Sequence, residues 1–528
     1  MAGSIVRTLA AGALIAAGAM LPSAPSAQAQ STLKAVVHAD LKIVDPVWTT
    51  AYITLRYGYL VYDTLFALDE NFVPRPQMID KHTVSDDGLL YTFTFRPGLK
   101  FHDGQPVRSA DAIASIQRWG KRDPMGQRLL SFVTELKAVD DSTFTMRLKQ
   151  RYGLVLDSLG KASTPAFIMP ERVARTDAMT QIKETVGSGP FIFVNEEWRP
   201  GNKAVFRKNP DYVPRSEPPN YLSGGKIAKV DRIEWLYIPD NNTTLSALQA
   251  GEIDYFEAPP IDFIPIMEKN PKITVMRIDK LGVQGMLRFN HLHPPFNNPK
   301  ARQAFLHVMK QEDYMRAVVG NPALYMKFCG AFFHCGSDNE TAVGSEPMQK
   351  VDLDKAKALL KEAGYNGEKI VVLQPTDRPQ YNAATMVTMQ LMRRMGMNVD
   401  AQAADWSTIA GRRAKKDPPE AGGWHIFHTT HGGSDTAMPV ANVWFNTRCE
   451  RSNPGWPCDL ELDKMVEEWS LETDREKRKA ILEKLHKRAY ETLPYISWGQ
   501  FTQPIAFRSN VKGVLAAGFP VYWNIEKQ

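Results

Sequence analysis

Long apolar runs are missing: the longest, Leu9 to Leu21, is about thirteen residues, whereas a membrane-spanning helix needs about twenty. Charge of one sign is missing too. Lys and Arg total 64 against 58 Asp and Glu, a formal +6, and the charges are interspersed. A nucleic-acid binder would carry a basic stripe or arm, so no nucleic-acid partner is expected. Cysteine is scarce, with four residues. Signatures of hydrolysis and phosphate binding are absent as well: there is no G-x-S-x-G, no H-E-x-x-H, no G-x-x-x-x-G-K-[ST], and no G-x-G-x-x-G after a strand. What is present is ordinary globular composition, 43% hydrophobic and 23% charged, which excludes disordered and fibrous classes.

Arg7, the Leu9–Leu21 stretch and Ala27-Gln28-Ala29 form the charged, apolar and small-x-small parts of a secretory signal peptide. Residues 1–29 are therefore expected to be removed. No Cys lies near that site, so the product is expected to be soluble in an oxidising compartment, without a lipid anchor. The cysteines agree: Cys329 and Cys335 lie close in sequence, as do Cys449 and Cys458. Loop closure favours those two local pairings, of the kind found in exported proteins.

Residues Leu89 to Arg96 alternate Tyr91, Phe93, Phe95 against Thr92, Thr94, the period of a half-buried strand. With Phe144 to Leu148 as a further strand, residues 70–186 read as a small α+β unit. Ile233 to Ile238, a helix capped at Asp240 or Asn241 and closed by Gly251, and Ile253 to Phe256 read as strand–helix–strand. A second such unit is clearer. Asp352 or Asp354 caps a helix with Ala356, Leu359, Leu360 and Ala363 inward; Lys369 to Gln374 is a strand, residues 380–396 a helix, and Met397 to Ala401 a strand. The Met386, Met389, Met392, Met395 stripe of that helix reads as core. Two such units imply two lobes, each with a partly parallel sheet.

One cluster has metal-like spacing: His425, His428 and His431 in GGWHIFHTTHGG. In a strand, His425 and His428 face opposite ways, so a strand running into a cleft-edge loop is favoured over a metal or haem site.

Several stretches resemble the solute-binding proteins of peptide-type ABC importers, the group that includes dipeptide-, oligopeptide- and nickel-binding proteins. They are VYDTLFALDENFVPRPQMID (61–80), VSDDGLLYTFTFRPGLKFHDGQPV (84–107), GSGPF (187–191), NNTTLSALQAGEIDY (241–255), FNHLHPPFNNPKARQAF (289–305) and DLDKAKALLKEAGY (352–365). The resemblance implies an α/β fold: a two-lobed periplasmic binding protein of the large peptide-binder type (type II), with an extra inserted α+β domain. Domain I would comprise 30–68, 187–284 and 505–528, domain II 69–186, and domain III 285–504. It implies a periplasmic monomer that captures a small organic ligand, a short peptide or amino-acid-like compound, by hinge closure and hands it to an inner-membrane ABC permease. No reaction and no cofactor are expected. The alternatives are a nickel-chelate or haem carrier of the same family and, outside the class, an exported hydrolase or peptidase.

Ligands of open αβ sheets bind beyond the carboxyl ends of the strands. Asp377 and Arg378 follow the strand 369–374, and the Arg378-Pro379-Gln380-Tyr381-Asn382 text resembles the context of the family's carboxylate-anchoring arginine. The family's amine-binding aspartate is displaced here. His431-Gly432 stands near its place and Asp435 follows; Asp377 or Asp435 is the candidate to face a cation. Trp406, Trp424, Tyr57 and Tyr59 are the candidate aromatic wall, and Trp444 reads as core. Hinges are expected near 284–288 and 500–504.

Overall fold

A computed structural model describes residues 31–528, except Thr473 and the side chains of Ser434 and Asp435, together with Met1 and Gly3. The signal-peptide reading of 1–29 lies outside the described residues. Ser31–Gln528 forms one compact unit built on three main sheets.

The largest sheet has seven strands in the order Phe191–Phe193, Lys203–Lys208, Arg232–Leu236, Thr32–Val36, Tyr255–Phe256, Ile505–Arg508 and Ile273–Met276. Thr32–Val36 runs parallel to both Arg232–Leu236 and Tyr255–Phe256. Between the latter two runs the helix Asn241–Ala250, started by Asp240, whose side chain accepts from Thr243 N, and ended by Gly251 at φ +83°. That left-handed conformation is one an L side chain resists. The expected strand–helix–strand unit is therefore present, with its second strand shortened to two residues.

A five-stranded sheet has the order Asn398–Ala404, Lys369–Pro375, Ile426–Gly432, Val283–Phe289 and Ile496–Phe501. Asp352 caps the helix Leu353–Glu362, and Pro379–Arg394 connects the parallel strands Lys369–Pro375 and Asn398–Ala404. Met389, Met392 and Met395 of the methionine stripe are buried, but Met386 is 50% exposed. The helix turns its first methionine out to solvent, beside Gln374.

A four-stranded antiparallel sheet, Ile79–Val84, Leu90–Phe95, Thr143–Leu148 and Val133–Ala138, packs on helix Ser109–Gly120. Phe93 and Phe95 turn inward while Thr92 and Thr94 stay half-exposed. Gly187 and Gly189 sit against the Val61 and Leu60 carbonyls, where a Cβ would collide, so GSGPF is a close backbone approach rather than a phosphate loop.

The seven- and five-stranded sheets are joined by residues 277–282 and 502–504. Residues 284–288, expected as a hinge, are not connecting residues. Those residues lie in Val283–Phe289, which is hydrogen-bonded to strands on both sides, so the freer backbone is the segment before it. Cys329 is bonded to Cys335 and Cys449 to Cys458. No helix among the described residues is long and apolar enough to cross a membrane.

Candidate functional site: a cleft between two facing sheet edges

Carboxyl ends of parallel strands from both sheets converge on one cleft. His38 follows Thr32–Val36, Glu257 follows Tyr255–Phe256, Arg378 follows Lys369–Pro375, and Trp406 follows Asn398–Ala404. Exposed peptide groups and short loops at such ends are where open αβ sheets hold ligands. Thr430 and His431 end the neighbouring strand Ile426–Gly432.

Three cavities open along this cleft. One of about 100 Å³ is lined by Arg56, Glu257, Arg378, Tyr381 and Gln503 among others. A second, of about 290 Å³, shares His38, Tyr52, Tyr381 and Thr430 with the first and adds Trp406, Arg413. The third and largest, of about 620 Å³, meets the second at Trp48 and Thr50 and runs toward Arg122, Lys416 and Arg451. The loop carrying Trp48 and Thr50 is pinned by buried Asp45. Its carboxylate accepts from Val47 N, Trp48 N and Ile182 N and is forked by Arg118 at 3.1 and 2.8 Å.

The first cavity is floored by a buried charge cluster. Glu257 is paired with Arg56, and His38 Nδ1 lies 2.7 Å from Glu257 Oε2 and 2.6 Å from Arg56 Nη1. Burial alone would raise the Glu257 pKa, but the Arg56 guanidinium and His38 outweigh it and hold the carboxyl down to about 2. Burial, and then Arg56, push His38 down to about 4, so His38 is neutral at neutral pH.

Arg378 reaches across the cleft. Its Nη1 donates to the His38 carbonyl, its guanidinium carbon lies 5.0 Å from the Tyr381 ring centre, and its Nε is buried with no partner among the described residues. Tyr381 meets Trp406 edge-on at 4.7 Å and its hydroxyl lies 2.9 Å from Thr430 Oγ1. Asp377 is beside this group but lines none of the three cavities. Its Oδ1 accepts from Trp406 N at 2.7 Å and its Oδ2 from the Tyr237 hydroxyl at 3.2 Å. That carboxylate is spent on backbone and lobe contacts rather than left for a ligand amine.

Of the expected aromatic wall, Trp406 stands in the cleft. Three others do not. Tyr57 is fully buried against Phe193 and Phe206. Tyr59 packs on Phe167 and Phe519, its hydroxyl donating to Ala162 O. Trp424 is fully buried and donates Nε1–H to Arg413 O. Helix Tyr52–Val61 explains the first two: its inner face is core, and Tyr52 and Arg56, one turn apart, face the cleft instead. Trp444, expected as core, is 1% exposed yet borders the second cavity. The side chain of Asp435 lies outside the described residues.

The histidine cluster is dispersed. His425 Nδ1 accepts from Val371 N and its ring pairs with Pro294 O. His428 is fully buried beside Trp498, with neither ring nitrogen partnered among the described residues. His431 lies on the opposite face, against Trp444. No group of three potential metal ligands forms among the described residues.

Sequence reasoning missed His38, Arg56, Glu257 and Arg413. The usable signal was position: His38 and Glu257 each follow a short apolar strand.

Residues 73–453 match the bacterial extracellular solute-binding proteins, family 5. The chain belongs to that family. A probable peptide ABC transporter periplasmic-binding protein of Sinorhizobium fredii is 36% identical over 98% of both chains. The structure of AgaA with agropinic acid, from A. tumefaciens R10, superposes with a TM-score of 0.78 at 21% identity, covering 94% of this chain and 99% of that one. A dipeptide-binding protein of Pseudoalteromonas sp. SM9913, in complex with Met-Leu, gives 0.75 at 21% identity over 94% and 100%. These likenesses show the fold: a mixed α/β binding protein of the large, peptide-binder type, with two lobes and an additional α+β unit.

Proposed function

We propose that this protein is the periplasmic solute-binding component of an ABC importer. It captures a short peptide or amino-acid-like ligand by closing two lobes over it and delivers it, chemically unchanged, to an inner-membrane permease. The relative from Sinorhizobium fredii, similar over its whole length, is named for peptides and for such a transporter, and supports both parts. Residues 1–29 serve as the export signal. The lobes are domain I (30–68, 187–284, 505–528) and domain III (285–504), with domain II (69–186) attached to the first; residues 277–282 and 502–504 are the hinge.

The observation that carries the ligand reading is Arg378. Its half-buried guanidinium spans the cleft to a backbone carbonyl and has no carboxylate partner among the described residues. A ligand carboxylate would replace that neutral acceptor with a charge-assisted, forked one. Hydrogen bonds from Arg378 to the His38 carbonyl and from Tyr237 to Asp377 cross the cleft, and a ligand touching both sides would favour a shut form over an open one.

The test is calorimetric titration of a dipeptide and tripeptide library into the protein and into Arg378→Ala. We expect at least one micromolar binder and a loss of about tenfold or more in the variant, the worth of one charge-assisted hydrogen bond. Mass spectrometry of the recovered peptide separates carriage from peptidase activity: fragments would support the enzyme instead.

A further inference from the structure

Arg413 is a cation with no acidic partner among the described residues. It is 5% exposed, and its guanidinium carbon lies 5.3 Å from the Trp406 ring centre, 5.5 Å from that of Phe427 and 5.4 Å from that of Trp444. Among the described residues its side chain forms no ion pair. The guanidinium donates to Thr50 Oγ1, at 3.3 Å on the opposite lobe. Burial lowers its pKa to about 10, so it is still charged at neutral pH. Leaving a charge buried and unpaired costs several kcal/mol, by order of magnitude, unless something compensates it. Aromatic faces recover part of this, but a ring face accepts nothing from the in-plane N–H groups, the ones that fork a carboxylate.

A second donor is set beside it. Trp444 Nε1 lies 3.1 Å from His431 Nδ1, and an indole N–H can only donate. Nδ1 is therefore the acceptor, and in the neutral ring the proton resides on Nε2. Burial, with Arg413 next in effect, pushes the His431 pKa well down, so the ring is neutral. Nε2–H is a buried donor with no partner among the described residues. His431 and Arg413 line the same cavity of about 290 Å³. Of the described charged neighbours lining that cavity, Asp40 accepts from Gly201 N and Lys42 pairs with Asp405.

From this geometry we infer that Arg413 and His431 form a second anion subsite, separate from Arg378, which receives a carboxylate on the ligand's side chain. The two arginines bracket the Tyr381–Trp406 pair, Arg378 over the Tyr381 ring and Arg413 over the Trp406 ring. A ligand spanning them carries two acidic groups with an apolar stretch between. The ligand class is thus a diacid, such as a peptide containing Glu or Asp. This rests on the carrier reading above and narrows it.

The test titrates the full chain with Ala-Glu, Glu-Ala and Ala-Glu-Ala, with their Gln counterparts, and with glutarate alone. We expect at least one Glu peptide to bind about tenfold or more tighter than its Gln partner, the difference a charged pair makes over a neutral one. Arg413→Met should erase that preference while Gln peptides keep their affinity. Equal binding of Glu and Gln peptides, or a preference that survives in Arg413→Met, overturns the inference. Should Arg413→Met not fold, Arg413→Lys keeps the charge without the fork; it should lose most of the preference, and an unchanged preference overturns the inference. If no peptide binds but glutarate raises the unfolding temperature of the protein and not of the variant, the subsite stands and the peptide reading falls. No Arg413-dependent response to any of these probes overturns the subsite.

Discussion

The Tyr237 hydroxyl donates to Asp377 Oδ2 at 3.2 Å. Tyr237 directly follows the strand Arg232–Leu236 of the seven-stranded sheet, and Asp377 follows Lys369–Pro375 of the five-stranded one, so this hydrogen bond joins the lobes. The same carboxylate holds the Trp406 N–H, so closing the cleft and placing an aromatic wall are tied to one side chain. Removing a hydroxyl donor costs about 0.5–1.5 kcal/mol, more when the acceptor is charged. Tyr237→Phe is expected to weaken ligand binding by about threefold to tenfold with little change in unfolding temperature, measured by calorimetry and thermal unfolding.

Glu257 should set an acid limit on stability. Its folded pKa, about 2, is below the ordinary carboxylate value, so its contribution is complete above about pH 4.3 and is lost as pH falls toward 2. His38, held at about 4, acts in the same direction: between about pH 6.5 and 4 the unfolded chain takes up a proton that the folded one refuses. Unfolding temperature should fall in two stages on acidification. Glu257→Gln leaves Arg56 without its counter-charge and should cost about 3–5 kcal/mol at neutral pH, with the lower stage made shallower.

Much of this fold could be read in the sequence, and the reason is periodicity. Ala356, Leu359 and Leu360 had to face one way, and Asp240 and Asp352 cap helices as their positions demanded. That Arg378 and Trp406 line the cleft cavities followed from where strands end. The errors share a cause. Tyr57, Tyr59 and Trp424 carry the same residue types as a binding wall, and aromatic identity alone does not say which face of a helix or strand points inward. Arg413 follows Arg412 and precedes Lys415 and Lys416, a charge run that reads as a solvated face. Phe427 and Trp444, brought from other segments, bury one member of it together with Trp406 of the same helix.

The two tryptophans separate cleft from core. Trp406 is half-buried at the cavity edge, so Trp406→Ala should weaken peptide binding while costing well under 3 kcal/mol of stability. Trp424→Ala empties a core site and should cost about 3–5 kcal/mol, seen in denaturant unfolding.

Each disulfide closes a short loop, with sequence separations of 6 and 9. Loops of that size restrict the unfolded chain by about 2–3 kcal/mol each. Cys449→Ser with Cys458→Ser should therefore lower the unfolding temperature. It should also loosen the segment carrying Arg451 and Asn453, which lines the largest cavity, an effect readable by hydrogen exchange.

Small-angle X-ray scattering, with and without the tightest peptide from the library, tests lobe closure most directly. The radius of gyration is expected to shrink at saturation, and Arg378→Ala at the same peptide concentration should keep the larger value. An unchanged radius at full occupancy would contradict the account.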